Sequence, residues 1–158
     1  MTKREGPFWD FVAGRAPAPP AADLLGWQLL DVDPDQGTIR VQFDARPEFR
    51  NPAGTIQGGI LAAMLDDTMG PALVATLGPD QFALTLELKT NFIRPAKIGV
   101  LVGEGRIVHR GGTVCFLEGS LRDAEGTLVA TATATARLIS TKERERATAN
   151  TRMERTGG

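Results

Sequence analysis

Cysteine and histidine each occur once in this chain of 158 residues, as Cys115 and His109. One cysteine cannot close an internal disulfide, and one of each cannot furnish a dedicated Cys/His metal site. Charge of either sign is not in excess. The chain has 18 Lys and Arg against 19 Asp and Glu, a formal net charge of -1, so nothing draws the whole molecule to nucleic acid or to an anionic membrane. No apolar run is long enough to span a bilayer, and Met1-Thr2-Lys3-Arg4-Glu5 does not open a signal peptide. These absences predict a soluble cytoplasmic protein with no metal or redox cofactor and with neither nucleic acid nor membrane as partner. What remains is ordinary, 42% hydrophobic and 23% charged, which is enough for one domain with a real core.

Within that composition Asn51-Pro52-Ala53-Gly54-Thr55-Ile56-Gln57-Gly58-Gly59 runs straight into Ile60-Leu61-Ala62-Ala63-Met64-Leu65-Asp66-Asp67. A loop feeds a helix there. The first amides of a helix are unpaired and lie at the positive end of its dipole, so glycines at that point let a ligand atom with developing negative charge approach the backbone. From Ile60 to Leu77 the helix is apolar almost all round, as in a helix enclosed by its fold, and its only ionisable residues are Asp66 and Asp67. Carboxylates in such a place need a partner or a task.

Around this helix the chain reads in order. Residues 7 to 14 suit a short helix between Pro7 and Gly14, and the Pro-rich Ala16-Pro17-Ala18-Pro19-Pro20 forces an extended connection before a turn at Ala21 to Leu25. Trp27 to Asp33 and Thr38 to Phe43 form a hairpin, and residues 44 to 57 a loop. The helix is expected from Gly58 to Leu77 with a kink at Gly70-Pro71, followed by strands over 82–93, 97–109, 113–122 and 127–139. In the first, Leu84, Leu86, Leu88, Thr90 and Phe92 alternate with Thr85, Glu87, Lys89, Asn91 and Ile93, which sets Thr85 on the polar face. In the last, Ala130, Ala132, Ala134 and Ala136 make a small face on which a helix can lie close. The organisation is an N-terminal segment at 1–23, a domain at 24–139 and a charged tail at 140–158, expected to be mobile or a fraying helix. Its class is α+β, a sheet wrapped around one central helix.

The motif from Asn51 to Gly59 with Asp66, extended by Asn91-Phe92-Ile93-Arg94-Pro95-Ala96, resembles the signature of hotdog-fold acyl-CoA thioesterases of the PaaI-like, phenylacetate-degradation group. The resemblance covers roughly residues 24 to 139. It implies hydrolysis of a fatty or aryl acyl-CoA thioester, with Asp66 as catalytic carboxylate, Gly58 as backbone oxyanion donor, Asn51 beside the thioester, and Thr85 helping to position water. It also implies a homodimer, commonly paired into a homotetramer. The family usually has His where this chain has Gln57, and glutamine can hydrogen-bond but not titrate. A thiol leaving group with a pKa of about 8.5 needs little acid assistance, so the missing His is tolerable.

Gly58 and Asp66 lie eight positions apart on one helix, roughly 12 Å at 1.5 Å per residue. One thioester carbon cannot sit within reach of both, so two residues acting on one carbonyl must come from two copies of the chain with antiparallel helices. For the phosphates of CoA the candidates are Arg94, Lys97 and Arg110, with backbone amides at Gly111 and Gly112; each charge also reads as a solvated surface group. Spacing alone does not choose between Asp66 and Asp67; the resemblance picks Asp66. Asn51 before Pro52 is also a common turn residue, and Thr85 an ordinary strand threonine. His109 reads as a surface residue and Cys115 as core. Phe8, Trp9, Phe11 and Trp27 either line an acyl pocket or cover the sheet end. The rival to an enzyme is a non-catalytic, ligand-sensing acyl-CoA-binding protein that has kept the pocket. Asp66 weighs against it, since a carboxylate facing a thioester aids hydrolysis more than binding.

Overall fold

The hairpin forms where the sequence breaks. Strands β1 (Gln28–Asp33) and β2 (Thr38–Ala45) are joined by a turn in which Asp33 Oδ1 accepts the amides of Asp35 and Gln36 at 2.9 and 3.0 Å and Gly37 takes a φ of 66°. In this computed structural model, which describes residues 4–143 and 145–146, two short helices precede the hairpin, α1 (Pro7–Val12) and α2 (Pro20–Leu25). After it come a 3-10 turn at Pro47–Phe49, the long helix α3 (Gly58–Val74) and strands β3 (Gln81–Phe92), β4 (Gly99–Arg110), β5 (Val114–Asp123) and β6 (Leu128–Ser140). All strand pairs are antiparallel, in the order β1-β2-β4-β5-β6-β3. The result is the α+β hotdog arrangement, with α3 lying along the inner face of one sheet.

Side-chain size brings α3 close. Its buried face carries Leu61, Met64, Leu65, Thr68, Met69, Ala72 and Leu73. Opposite it, Ala130, Ala132, Ala134 and Ala136 of β6 are buried as their periodicity implies. Two glycines extend that small floor: a Cβ on Gly119 would lie 2.8 Å from Met69 Cγ, and one on Gly103 would collide with the Thr68 hydroxyl. Larger residues there would force the helix off the sheet.

Two expectations need correction. The helix passes through Pro71 without a break but ends as a regular α-helix at Val74, not Leu77; the last residues tighten into three-residue bonds, Thr76 N–H to Leu73 O and Leu77 N–H to Val74 O, both 3.0 Å. The strict alternation expected along β3 fails at Leu86, an extra residue where the pairing with β6 slips between Thr85 and Glu87. β3 is also an edge strand, with Leu84, Leu86 and Phe92 exposed. At the other end of β6, Ser140 and Glu143 cap each other's backbone amides at 3.2 and 2.8 Å. The rest of the charged tail, Arg144 and residues 147–158, lies outside the described residues. No helix among the described residues is long and apolar enough to cross a membrane.

Candidate active site

The polar chemistry gathers on the side of α3 that the sheet leaves open. Asp66 is half-buried there, and Thr85 of β3 donates its hydroxyl hydrogen to Asp66 Oδ1 at 2.8 Å. The bulge makes this contact possible. Beyond Leu86, the residues Leu88, Thr90 and Phe92 pair with Ala134, Ala132 and Ala130 on the helix side of the sheet, and before it Thr85 pairs with Ala136 on that same side. Without the extra residue, alternation would turn Thr85 away from Asp66. A bulge thus re-aims one side chain at a site.

Beside this pair lies a cavity of about 360 Å³ lined by Asp66, Asp67, Thr85, Phe8, Phe11, Trp27 and Phe82, with Pro71 and Val74 of α3. The aromatics of the N-terminal segment are therefore pocket walls, apart from Trp9, which backs Phe8 edge-on with ring centroids 5.0 Å apart. The Trp27 indole N–H donates to the Asp67 backbone carbonyl at 2.9 Å, tying the wall to the helix. Asp67 differs from its neighbour. Its Oδ2 is shut away from solvent with no hydrogen-bond partner. Burial, and secondarily the Asp66 charge beside it, push its carboxyl up to about 6.

The helix start has the complementary character. Gln57 is the N-cap residue and gives no side-chain cap; its own N–H goes to Phe49 O at 2.8 Å. The first bonds to its carbonyl come from Ile60 and Leu61, at 2.9 and 3.2 Å, so the Gly58 and Gly59 amides precede the helical ladder and project from its positive end. Glycine at 58 is a matter of space, because a Cβ there would lie 3.2 Å from the Phe92 ring. The Gln57 side chain is exposed at this helix start. Asn51 is occupied in its own loop: its side-chain oxygen accepts the Ala53 and Thr55 amides at 2.9 and 3.2 Å, and its NH2 donates to Thr55 Oγ1 at 2.9 Å. It holds the loop that presents Gly58.

Comparison with known proteins shows the family. Residues 53–130 match the model of the thioesterase superfamily. A protein of Saccharolobus solfataricus, provisionally named an esterase, is 32% identical over 119 residues, 73% of this chain and 84% of the relative. The chain belongs to the thioesterase superfamily. This thioesterase also superposes on the crystal structure of a phenylacetic acid degradation-related protein of Ralstonia eutropha, provisionally called a thioesterase, with a TM-score of 0.80, 42% identity and coverage of 82% of this chain and 98% of that one. A more distant relative, the 1,4-dihydroxy-2-naphthoyl-CoA hydrolase of Listeria monocytogenes, is 19% identical over 64% of this chain and 80% of its own length. The protein is thus a PaaI-like hotdog thioester hydrolase.

The residues predicted to meet the phosphates of CoA do not form one cluster in this thioesterase. Arg94 and Lys97 follow β3, close to the start of α3, where Ile56 N–H bonds Ala96 O at 2.9 Å; Arg94 donates to Leu128 O at 3.2 Å. Arg110 lies at the other end of the helix and donates to Thr76 Oγ1 at 3.0 Å. The two groups are separated by a helix about 25 Å long. Gly111 uses its amide to close the β4–β5 turn on Val114 O at 2.9 Å, and Gly112 is exposed beside it. His109 is exposed and stacked near Phe116, ring centroids 6.4 Å apart, and Cys115 is buried in the core. Sequence reasoning missed Phe82 and Val74 as pocket walls and Phe92 as the neighbour of Gly58. Their apolar character alone marks them as core, so no local signal distinguishes them.

Proposed function

We propose that this thioesterase hydrolyses acyl-CoA thioesters, fatty or aryl, to the free acid and CoA in the cytoplasm, at sites assembled from two subunits. The observation that carries this reading is that Asp66, held by Thr85 in the lining of a largely apolar cavity, and the amides of Gly58 and Gly59 that precede the helical ladder lie on one helix but eight and seven residues apart. A twofold partner with its helix antiparallel would bring one subunit's Gly58 to the other's Asp66. Support comes from the open face of α3, where Gly59, Ala62, Ala63, Asp66 and Gly70 recur at helical spacing, and from the exposed apolar edge of Leu84, Leu86 and Phe92. Antiparallel helices would also place Arg94 and Lys97 of one subunit near Arg110 of the other, giving CoA phosphates a cationic mouth. Pairing of such dimers into a tetramer belongs to the same reading.

In the reaction the thioester oxygen sits against the Gly58 amide, which stabilises the oxyanion as the carbonyl carbon becomes tetrahedral. Asp66 acts from the opposite side. It takes a proton from a water that bonds to the carbon, or bonds to the carbon itself to give a mixed anhydride; either way the carbon–sulfur bond breaks and CoA leaves as thiolate, and on the second route a water then cleaves the anhydride to free the acid and restore the carboxylate. With Thr85 hydrogen-bonded to Oδ1, the carboxylate is oriented and Oδ2 is left to act. Asn51 serves by shaping the loop before Gly58.

Mixing tests the composite site. Gly58→Val and Asp66→Ala chains, each inactive alone, should recover up to about a quarter of wild-type thiol release when co-assembled from equal amounts, because one site in four combines two intact halves under random pairing. No recovery from mixed dimers shown to form would put both groups in one subunit. Binding of acyl-CoA without any thiol release by wild type would make the protein a ligand-binding module.

A further inference from the structure

The cavity beside Asp66 holds more negative charge than the hydrolysis needs. Two carboxylates, Asp66 and Asp67, line it, and among the described residues no arginine, lysine or histidine does. Its other polar groups are engaged: the Thr85 hydroxyl on Asp66, the Trp27 indole N–H on the Asp67 carbonyl. Asp67 Oδ2 has no partner. Leaving such an atom unpaired is unfavourable, and more so when the group is charged. We infer that Asp67, with the rings of Phe8, Phe11, Trp27 and Phe82 around the same cavity, recognises a cationic, ammonium-bearing end of the acyl group.

Three physical features favour that chemistry. An ionised carboxylate only accepts hydrogen bonds, so the ligand must donate. Aromatic faces attract cations, the more strongly where the bound group is desolvated. Two adjacent acids without a neutralising residue disfavour an acyl group that carries its own carboxylate and favour one that brings a positive charge. With its carboxyl at about 6, Asp67 is ionised at pH 7.5 even before such a ligand arrives. The torsion of a terminal carboxyl is broad, so either oxygen can turn toward the ligand.

This inference rests on the acyl group occupying the cavity, and its test keeps the two apart. Three CoA esters of matched shape would be compared at pH 7.5: para-(aminomethyl)phenylacetyl, para-(hydroxymethyl)phenylacetyl and para-ethylphenylacetyl. Wild type should favour the ammonium ester over the ethyl ester by about tenfold or more in kcat/KM. Asp67→Asn and Asp67→Leu should each bring that ratio close to one. A wild-type preference for the ethyl or hydroxymethyl ester, or a ratio that survives both substitutions, overturns the inference. The same three esters bound to Asp66→Asn protein, followed by tryptophan fluorescence, supply the second arm. If wild type releases no thiol from any ester, the hydrolytic reading fails, and the order of binding and its loss on replacing Asp67 still decide the recognition site.

Discussion

The two sides of α3 are built from different residues for different ends. Toward the sheet it presents Leu61, Met64, Leu65, Met69 and Leu73, all buried; on the open side Gly59, Ala62, Ala63 and Gly70 flank Asp66. A helix that served only as core would have no reason to keep one side small and to place its only two acids there. Large side chains fix α3 on the sheet, while small ones leave room for a substrate and, in the proposed dimer, for a second helix. An apolar helix can thus be core on one side and site on the other without a charged stripe to announce it.

The largest expected effect falls on the open side. Asp66→Asn should lower kcat for thiol release by about 100-fold to 10,000-fold while leaving the fold intact, as for loss of a positioned acid–base group; circular dichroism and kinetics on the same sample check it. Unchanged kcat would move the chemistry away from this carboxylate. Thr85→Val, which keeps the shape and removes the hydrogen bond to Oδ1, should lower kcat by a smaller factor, about tenfold.

A pair of substitutions two residues apart sharpens the comparison. Leu65→Ala, in a fully buried position, should destabilise the protein by about 2–5 kcal/mol. Ala63→Arg faces outward from the described chain, so a single subunit should tolerate it with a change within about 0.5 kcal/mol, yet it should halve the mass seen by light scattering and abolish thiol release. An Ala63→Arg protein that kept wild-type mass and activity would make the open side ordinary surface.

Much of this was legible in the sequence because it depends on period. The alanine row of β6 and the apolar length of α3 are repeated signals, and the elements they predict are present within a few residues. What depends on a single residue was not legible. Leu86 inserts into β3 without a glycine or other mark, yet that one slip decides whether Thr85 meets Asp66. Likewise Arg94 and Arg110 are close in sequence, but the β4 strand between them carries them to opposite ends of α3. The burial of Asp67, next to an acid with a partner, follows from the N-terminal aromatics folding back over the helix, a long-range contact that local pattern does not encode.

The smallest effect sets Asp66 against its neighbour. Asp67 has its carboxyl raised from an ordinary 3.8 to about 6 by burial and by the Asp66 charge, so the folded protein holds that proton more tightly than the unfolded chain. Its contribution to stability is complete below 3.8 and is lost as pH rises to about 6, above which both states are ionised and the loss stays constant. An asparagine side chain in its place is neutral throughout and keeps the shape. The melting temperature of the Asp67→Asn protein should therefore match wild type near pH 3.5, exceed it by a growing margin between about pH 4 and 6, and keep that margin, a few degrees, at pH 8. A margin that shrinks with rising pH would mean that Asp67 is paired in solution, and the cavity would then have no unmatched charge to select a ligand with.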